Sequence, residues 1–230
     1  KKKNKLFGII VVLGIIAFVG YFSPLGNLMN QEETHIKEVI NKNSITSNNY
    51  TLLVNKQYML GKDYVPKNLE KLNIDFLSDT SEESKYMVKK AADALEDLVE
   101  TAKEENITLI GSSAYRSYKS QERVLNQETN SKGTVYANKY VAKPGQSEHQ
   151  SGLAIDVTNK ARCFDKTSVE AQWLAKNAYR FGFILRYPEG KENITGYNYE
   201  PWHIRYVGKK VAKEIYNNSE TLEEYLERLG

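Results

Sequence analysis

The stretch Ser147-Glu148-His149-Gln150-Ser151-Gly152-Leu153-Ala154-Ile155-Asp156 restricts this chain more than any other. From Leu153 onward the residues alternate. Leu153, Ile155 and Val157 fall on one face, Ala154 and Asp156 on the other. That is the period of a strand with an apolar core face and a small or polar second face. Gly152 lets the chain turn after His149, so that His149 is held at the strand's entrance while Asp156 points out of the sheet beside it. Ala154, one step before Asp156 on the same face, leaves room for a metal or a substrate.

A second stretch, Glu200-Pro201-Trp202-His203, opens another strand over 202–207. There His203 shares a face with Arg205, and Trp202, Ile204 and Tyr206 take the other. Pro201 fixes the backbone between Glu200 and the strand. The chain has three histidines, and two of them sit in these two stretches. A single His or Asp near a strand is ordinarily a solvated or hydrogen-bonded side chain. Here the residues are rare in the chain and cluster with a glutamate. Two imidazoles and a carboxylate make a three-ligand zinc site with an open fourth position, the arrangement used for catalysis. Glu200, beside the last of these ligands, is a natural general base for a zinc-polarised water. Other divalent ions also accept such a ligand set.

The motifs Ser147 to Asp156 and Glu200 to His203, together with Tyr115-Arg116-Ser117 followed by Gln121, resemble the zinc D,D- and L,D-carboxypeptidases of the VanY type. Those enzymes trim the stem peptides of bacterial peptidoglycan. The resemblance covers residues 50–215 in order and spacing. It implies zinc on His149, Asp156 and His203, and Glu200 as base. It implies that Arg116 stabilises the tetrahedral oxyanion, and that Gln121, Ser147 and Ser151 hold the substrate. Tyr197 matches a pocket-lining position, with Tyr199 the competing choice. It implies the family's fold as well. Arg116 at a strand-to-helix junction suits a carboxylate or oxyanion on its own account, because guanidinium is a rigid, permanently charged donor fork.

The net charge of +3 comes from the first residues. Without Lys1, Lys2, Lys3 and Lys5 the balance is −1, so no basic field is left for nucleic acid. That basic cluster precedes seventeen uncharged, mostly apolar residues from Leu6 to Phe22. They reach about 25 Å as a helix, within the range tolerated for a single span. Residues 1–23 therefore read as an uncleaved transmembrane signal anchor with its N-terminus in the cytoplasm; a cleaved signal peptide is the rival reading. Residues 24–49, rich in Asn, Gln, Glu, Lys and Ser, read as a spacer. His35 lies there as a solvated side chain. The expected location is the cell membrane, single-pass, with the folded part on the cell-wall side.

The folded part is expected over 50–230 as one α+β domain: an antiparallel-rich sheet carries the site and helices pack on one side. Residues 52–60 read as a strand and turn. A helix is expected over 81–104, with Thr80 and Glu83 at capping-box spacing and an apolar stripe through Ala91, Leu95, Leu98 and Ala102. A strand over 107–114 delivers Arg116, and Ser117 caps a helix carrying Gln121, Val124 and Leu125. Residues 130–146 read as a loop with a short helix near 136–140. A helix over 167–179, a strand over 183–187 and two closing helices over 209–217 and 221–229 complete the chain. Cys163 is the single cysteine, which excludes an internal disulfide; it reads as a small hydrophobe.

The expected function is removal of the C-terminal D-alanine from peptidoglycan stem peptides, of D-Ala-D-Ala carboxypeptidase type, by a monomer. The alternatives are an L,D-carboxypeptidase acting on the tetrapeptide, and a non-catalytic cell-wall-binding protein whose zinc is structural.

Overall fold

In a computed structural model of the chain, the structure describes residues 49–230. The expected anchor, the spacer and His35 lie outside them. Among the described residues no helix is long and apolar enough to cross a membrane. Residues Tyr50–Gly230 form one compact unit.

The unit is α+β. A two-stranded ribbon pairs β1 (Leu69–Lys71) with β2 (Tyr86–Val88). The main sheet has four strands: β3 (Ile110–Ser113), β4 (Ala154–Thr158), β5 (Phe183–Leu185) and β6 (His203–Tyr206). Their order is β3-β4-β6-β5, antiparallel throughout. The alternation read from the sequence places the core. Leu153, Ile155 and Val157 bury on one face together with Ile204 and Phe183. Helix α1 (Lys89–Glu104) lays Ala91, Leu95, Leu98 and Ala102 on that same face.

Helix α1 begins eight residues later than the expected start. The backbone of the preceding stretch is engaged elsewhere. Ala114 N–H donates to Ser84 O at 2.8 Å, Tyr115 N–H to Tyr86 O at 2.9 Å, and Val88 N–H to Gly152 O at 2.9 Å. The stretch forms a 3-10 turn, Glu83–Lys85, followed by the extended β2, and the Thr80 hydroxyl donates to Ser112 O instead of capping a helix. Residues 52–60 form no strand. The Asn55 side chain accepts from the N–H groups of Gln57 and Tyr58 and folds the segment into a turn.

Helix α2 (Tyr118–Lys132) is capped as expected, the Ser117 hydroxyl accepting from Ser120 N–H. The region expected as loop is mostly helix. α2 runs to Lys132, and α3 (Thr134–Tyr140) begins after Gly133 alone, whose φ of 86° breaks the two apart. Helix α4 (Val169–Asn177) continues as a 3-10 turn, Ala178–Phe181. A four-residue helix, α5 (Glu192–Thr195), precedes β6. Helix α6 (Lys209–Asn218) and helix α7 (Leu222–Leu229) close the chain, and α7 carries the complete Thr221/Glu224 capping box.

The helices do not all pack on one side. Phe183 joins the cluster under α1, whereas its neighbour Ile184 joins Ala212, Ile215, Leu222 and Tyr225 of α6 and α7. Successive strand residues point to opposite faces. The closing helices therefore cover the β5 end of the face that carries Asp156 and His203.

Gly152 links the site turn to β4 at φ 68°, a left-handed conformation. A Cβ there would stand 3.0 Å from Pro66 Cγ and Leu69 Cδ2. Gly152→Ala is expected to lower stability by about 1–3 kcal/mol through backbone strain, with the ribbon contact adding to the loss. Chemical denaturation of the two proteins measures the difference.

Candidate active site

β4 and β6 are hydrogen-bonded neighbours, and their register sets Asp156 directly opposite His203. His149 comes from a 3-10 turn, Glu148–Ser151, that leads through Gly152 into β4. The turn is anchored to β3. Arg116 N–H donates to His149 O at 3.2 Å, and His149 Nδ1 donates to Ala114 O at 2.8 Å. The three side chains converge, with one donor atom from each lying within 4.8 Å of the others. His203 Nδ1 is 2.8 Å from Asp156 Oδ1, and His149 Nε2 is 3.3 Å from Asp156 Oδ2. Tetrahedral coordination with bonds of about 2.0–2.2 Å separates ligand atoms by about 3.4 Å, close to this spacing.

The electrostatics point the same way. Burial pushes the His149 ring below its ordinary value, with Arg116 adding to the effect, so the ring is neutral. Its one proton is on Nδ1, committed to Ala114 O. Nε2 then turns a lone pair towards the Asp156 carboxylate. Two acceptors facing each other call for a cation between them. Burial opposes ionisation of Asp156, but its carboxyl is held well below the usual carboxylate range; beside a neutral His149, the group that does this is the protonated His203 ring, whose Nδ1–H donates to it. Burial also opposes charge on His203, yet its hydrogen bonds to Asp156 and Glu148 raise it to about 10. The donor set fits a divalent zinc-type ion, and without one His203 carries a proton in its place.

A cleft of about 350 Å³ opens over these ligands. Glu200, Arg116, Gln121, Ser147 and Tyr197 all line it. Glu200 sits in the turn before β6, its N–H donating to Tyr187 O at 3.1 Å. Burial lifts the Glu200 carboxyl to about 7, with Asp156 and Glu148 adding to the rise and His203 opposing it. A carboxylate poised near neutrality suits proton transfer. Arg116 is held by two hydrogen bonds, Nη1 to Gln121 Oε1 at 2.9 Å and Nη2 to Ser113 Oγ at 2.7 Å.

The other expected residues differ in where they lie and what engages them. The Gln121 amide is engaged at both ends, accepting from Arg116 and donating to Ala142 O at 2.7 Å. It orients the arginine, and the second hydrogen of its Nε2 is left for a substrate carbonyl. Ser151 does not line the cleft. Its hydroxyl donates to Glu148 O and accepts from Leu153 N–H, which stitches the turn. Tyr199 lies outside the cleft, whereas Tyr197 lines it and packs on Tyr187 with ring centroids 4.7 Å apart. Trp202 precedes β6 and lines the cleft half-exposed instead of joining the core face. Cys163 is exposed and remote from the ligands.

Three further groups complete the site. The Tyr187 ring lies 4.9 Å from the His203 ring, and Glu148 and Arg186 are fully buried behind it. Glu148 stood inside the quoted motif. Its neighbours Ser147, His149, Gln150 and Ser151 are all polar, so nothing local in the sequence marks it.

The sequence profile for the D-alanyl-D-alanine carboxypeptidase VanY matches residues 84–209. YodJ of Bacillus subtilis (strain 168) is 36% identical over an alignment of 269 residues that covers 100% of this chain and 98% of YodJ. This chain belongs to the VanY D-alanyl-D-alanine carboxypeptidase family. It is accordingly a metallopeptidase of that family. Among solved VanY-family structures, the LD-carboxypeptidase LdcB superposes with a TM-score of 0.71 at 44% identity, covering 77% of this chain and 86% of LdcB. A variant of the vancomycin-resistance D,D-pentapeptidase VanY in complex with Zn(II) superposes with a TM-score of 0.64 at 33% identity, covering 77% of this chain and 98% of that one.

Metal binding should release a proton. At pH 7 the metal-free His203 lies below its value of about 10 and holds a proton that a metal must displace. Zinc affinity is therefore expected to fall as pH falls. Calorimetric titration in buffers of different ionisation enthalpy should show release of about one proton per zinc; a buffer-independent heat would contradict this protonation state.

Proposed function

We propose that this protein is a zinc carboxypeptidase that removes the C-terminal D-alanine from peptidoglycan stem peptides, cutting a D-alanyl-D-alanine bond. One observation carries the reading: Glu200 and Arg116 flank a His-Asp-His donor set inside one cleft. Such a placement puts a base and an oxyanion donor on the two sides of one scissile carbonyl.

His149 Nε2, one Asp156 oxygen and His203 Nδ1 would hold the ion. The chemistry a zinc ion supplies in such a site is Lewis-acid polarisation of the carbonyl and acidification of a water. Glu200, as carboxylate, takes the proton of the attacking water and delivers it to the leaving amine. Arg116 neutralises the charge that develops on the carbonyl oxygen, and Gln121 keeps its guanidinium aimed. Ser147 and Tyr197 contact the peptide. The walls formed by Tyr187, Tyr197 and Trp202 keep bulk water from the reacting atoms.

The cleft favours a peptide longer than two residues. Gln121, Val124, Glu128 and Lys132 recur at helical spacing along α2 and line it together. The stripe extends about 16 Å at 1.5 Å per residue, enough for several extended residues beyond the scissile bond. This supports carboxypeptidase action on a stem peptide over dipeptidase action. A second reading is cleavage of the L,D bond of a tetrapeptide. It is favoured by the higher identity with LdcB, 44% against 33% for the D,D-enzyme VanY. We place the protein on the cell-wall side of the membrane, since stem peptides are displayed there and the first residues read as an anchor.

Mass spectrometry of stem pentapeptide and tetrapeptide incubated with the zinc-loaded protein, beside a chelated control, separates the readings. Loss of one alanine from the pentapeptide supports the D,D reading, and loss from the tetrapeptide alone supports the L,D reading. Absence of any product from the zinc-loaded protein would leave a wall-binding protein. Glu200→Gln is expected to retain zinc and lose about 10²–10⁴-fold in kcat. Since Glu200 works when deprotonated, kcat/KM should fall as pH drops below about 7. The positive ion lowers that carboxyl further, so the acid limb lies at or below this value. A variant with full activity, or a flat acid limb, would remove Glu200 from the mechanism.

A further inference from the structure

We infer that Glu148 is a positioning residue for the metal centre: its carboxylate holds the His203 ring so that Nδ1, and not Nε2, faces the other two ligands. The inference rests on the reading of His149, Asp156 and His203 as a metal site.

The two histidines present opposite nitrogens. His149 points Nε2 at Asp156 and spends Nδ1 on the Ala114 carbonyl. His203 points Nδ1 at Asp156 and turns Nε2 to Glu148 Oε2 at 3.3 Å. An imidazole can flip about its side-chain torsion, and a ligand ring needs a partner at its far nitrogen to fix both orientation and tautomer. For His149 the backbone supplies that partner. For His203 a side chain does, and Glu148 is the group in place. As a carboxylate it also makes the ring a stronger electron donor than a neutral carbonyl would.

The geometry fixes Glu148 in turn. Its other oxygen, Oε1, accepts from Arg186 Nε at 2.8 Å and from Arg205 Nη1 at 2.6 Å. Both arginines are wholly buried, as is Glu148. Arg186 goes on to Glu223 of α7 through Nη1 and Nη2, at 2.8 and 2.7 Å. Arg205 Nη2 donates to the carbonyls of Tyr50 and Leu52. With Oε1 locked by two guanidinium groups, Oε2 cannot leave His203 without breaking those bonds. If Glu148 served only as counter-ion to the arginines, the metal centre would be indifferent to its loss once the fold was preserved.

That difference can be measured. Zinc affinity of the full chain is read by chelator competition, and ligand geometry by the visible absorption of the Co(II) form. Glu148→Gln is isosteric and is expected to weaken zinc binding about 10–100-fold and to shift the Co(II) bands. Glu223→Gln removes a charge from the same buried group without touching His203. It is expected to lower the melting temperature while leaving zinc affinity and the Co(II) bands as in the wild type. Equal zinc affinity in Glu148→Gln and the wild type would overturn the inference. So would an equal loss in both variants, which would mean general loosening. Failure of the wild type itself to bind zinc would instead overturn the metal-site reading on which the inference stands. If Glu148→Gln does not fold, Glu148→Asp decides. It keeps the charge for the arginines but draws the oxygen back from His203, so weakened zinc binding supports the inference and unchanged binding overturns it.

Discussion

Asp156 and His203 face each other across a single pair of antiparallel strands. Side chains alternate along a strand with period two, so a slip of one residue between β4 and β6 would turn one of the pair into the core and bring an apolar side chain out. The pairing holds because the opposite face is strongly apolar: Leu153, Ile155, Val157 and Ile204 are all buried under α1 and its neighbours. The metal-binding geometry thus depends on hydrophobic burial on the far side of the sheet. The third ligand, His149, is brought in by the turn at Gly152, whose left-handed backbone is packed against the β1–β2 ribbon.

Behind this pair lies a second dependence. Four charged groups, Glu148, Arg186, Arg205 and Glu223, form a buried or nearly buried set with balanced charge. Isolated, any of them would be costly to desolvate; hydrogen-bonded to one another and to backbone carbonyls, they are compensated. The set reaches from the first residues of the folded unit, at Tyr50 and Leu52, to the last helix, through Glu223. Segments far apart in sequence are therefore tied to one point beside His203.

What the sequence disclosed follows from which interactions are local. The alternation after Gly152, the Ser117 cap and the Thr221/Glu224 capping box involve residues a few positions apart, and each is present in the structure. The side chains singled out in the two metal-type motifs and at Arg116 gather around one cleft. Readings failed where a hydrogen-bond partner, distant or close by, was not taken into account. Thr80 and Glu83 have capping spacing, but Ala114, Tyr115 and Gly152, which arrive later in the chain, engage the backbone of 84–88 and keep it from joining the helix. Asn55 turned an apparent strand into a bend by bonding its own neighbours. Ser151 carries the right chemistry for substrate contact, but its hydroxyl is taken up inside its own turn by Glu148 O and Leu153 N–H. Glu148 went unremarked because its arginine and histidine partners lie about 40 to 60 residues away, and Tyr187 because its packing on His203 follows from the fold.

The helical hairpin of α2 and α3 lines the cleft, while the ligands stand on the sheet and on the turn that leads into it. The hairpin residues Val124, Glu128, Lys132, Tyr136 and Tyr140 line the same cleft as the ligands but belong to separate elements of the chain. Bond-breaking and peptide choice are consequently carried by different stretches of chain. Substitutions on the Val124–Glu128–Lys132 stripe or at Tyr136 and Tyr140 can alter which peptides are admitted without disturbing the ligand register. A lineage can diversify its diet on one wall and keep its chemistry unchanged on the other.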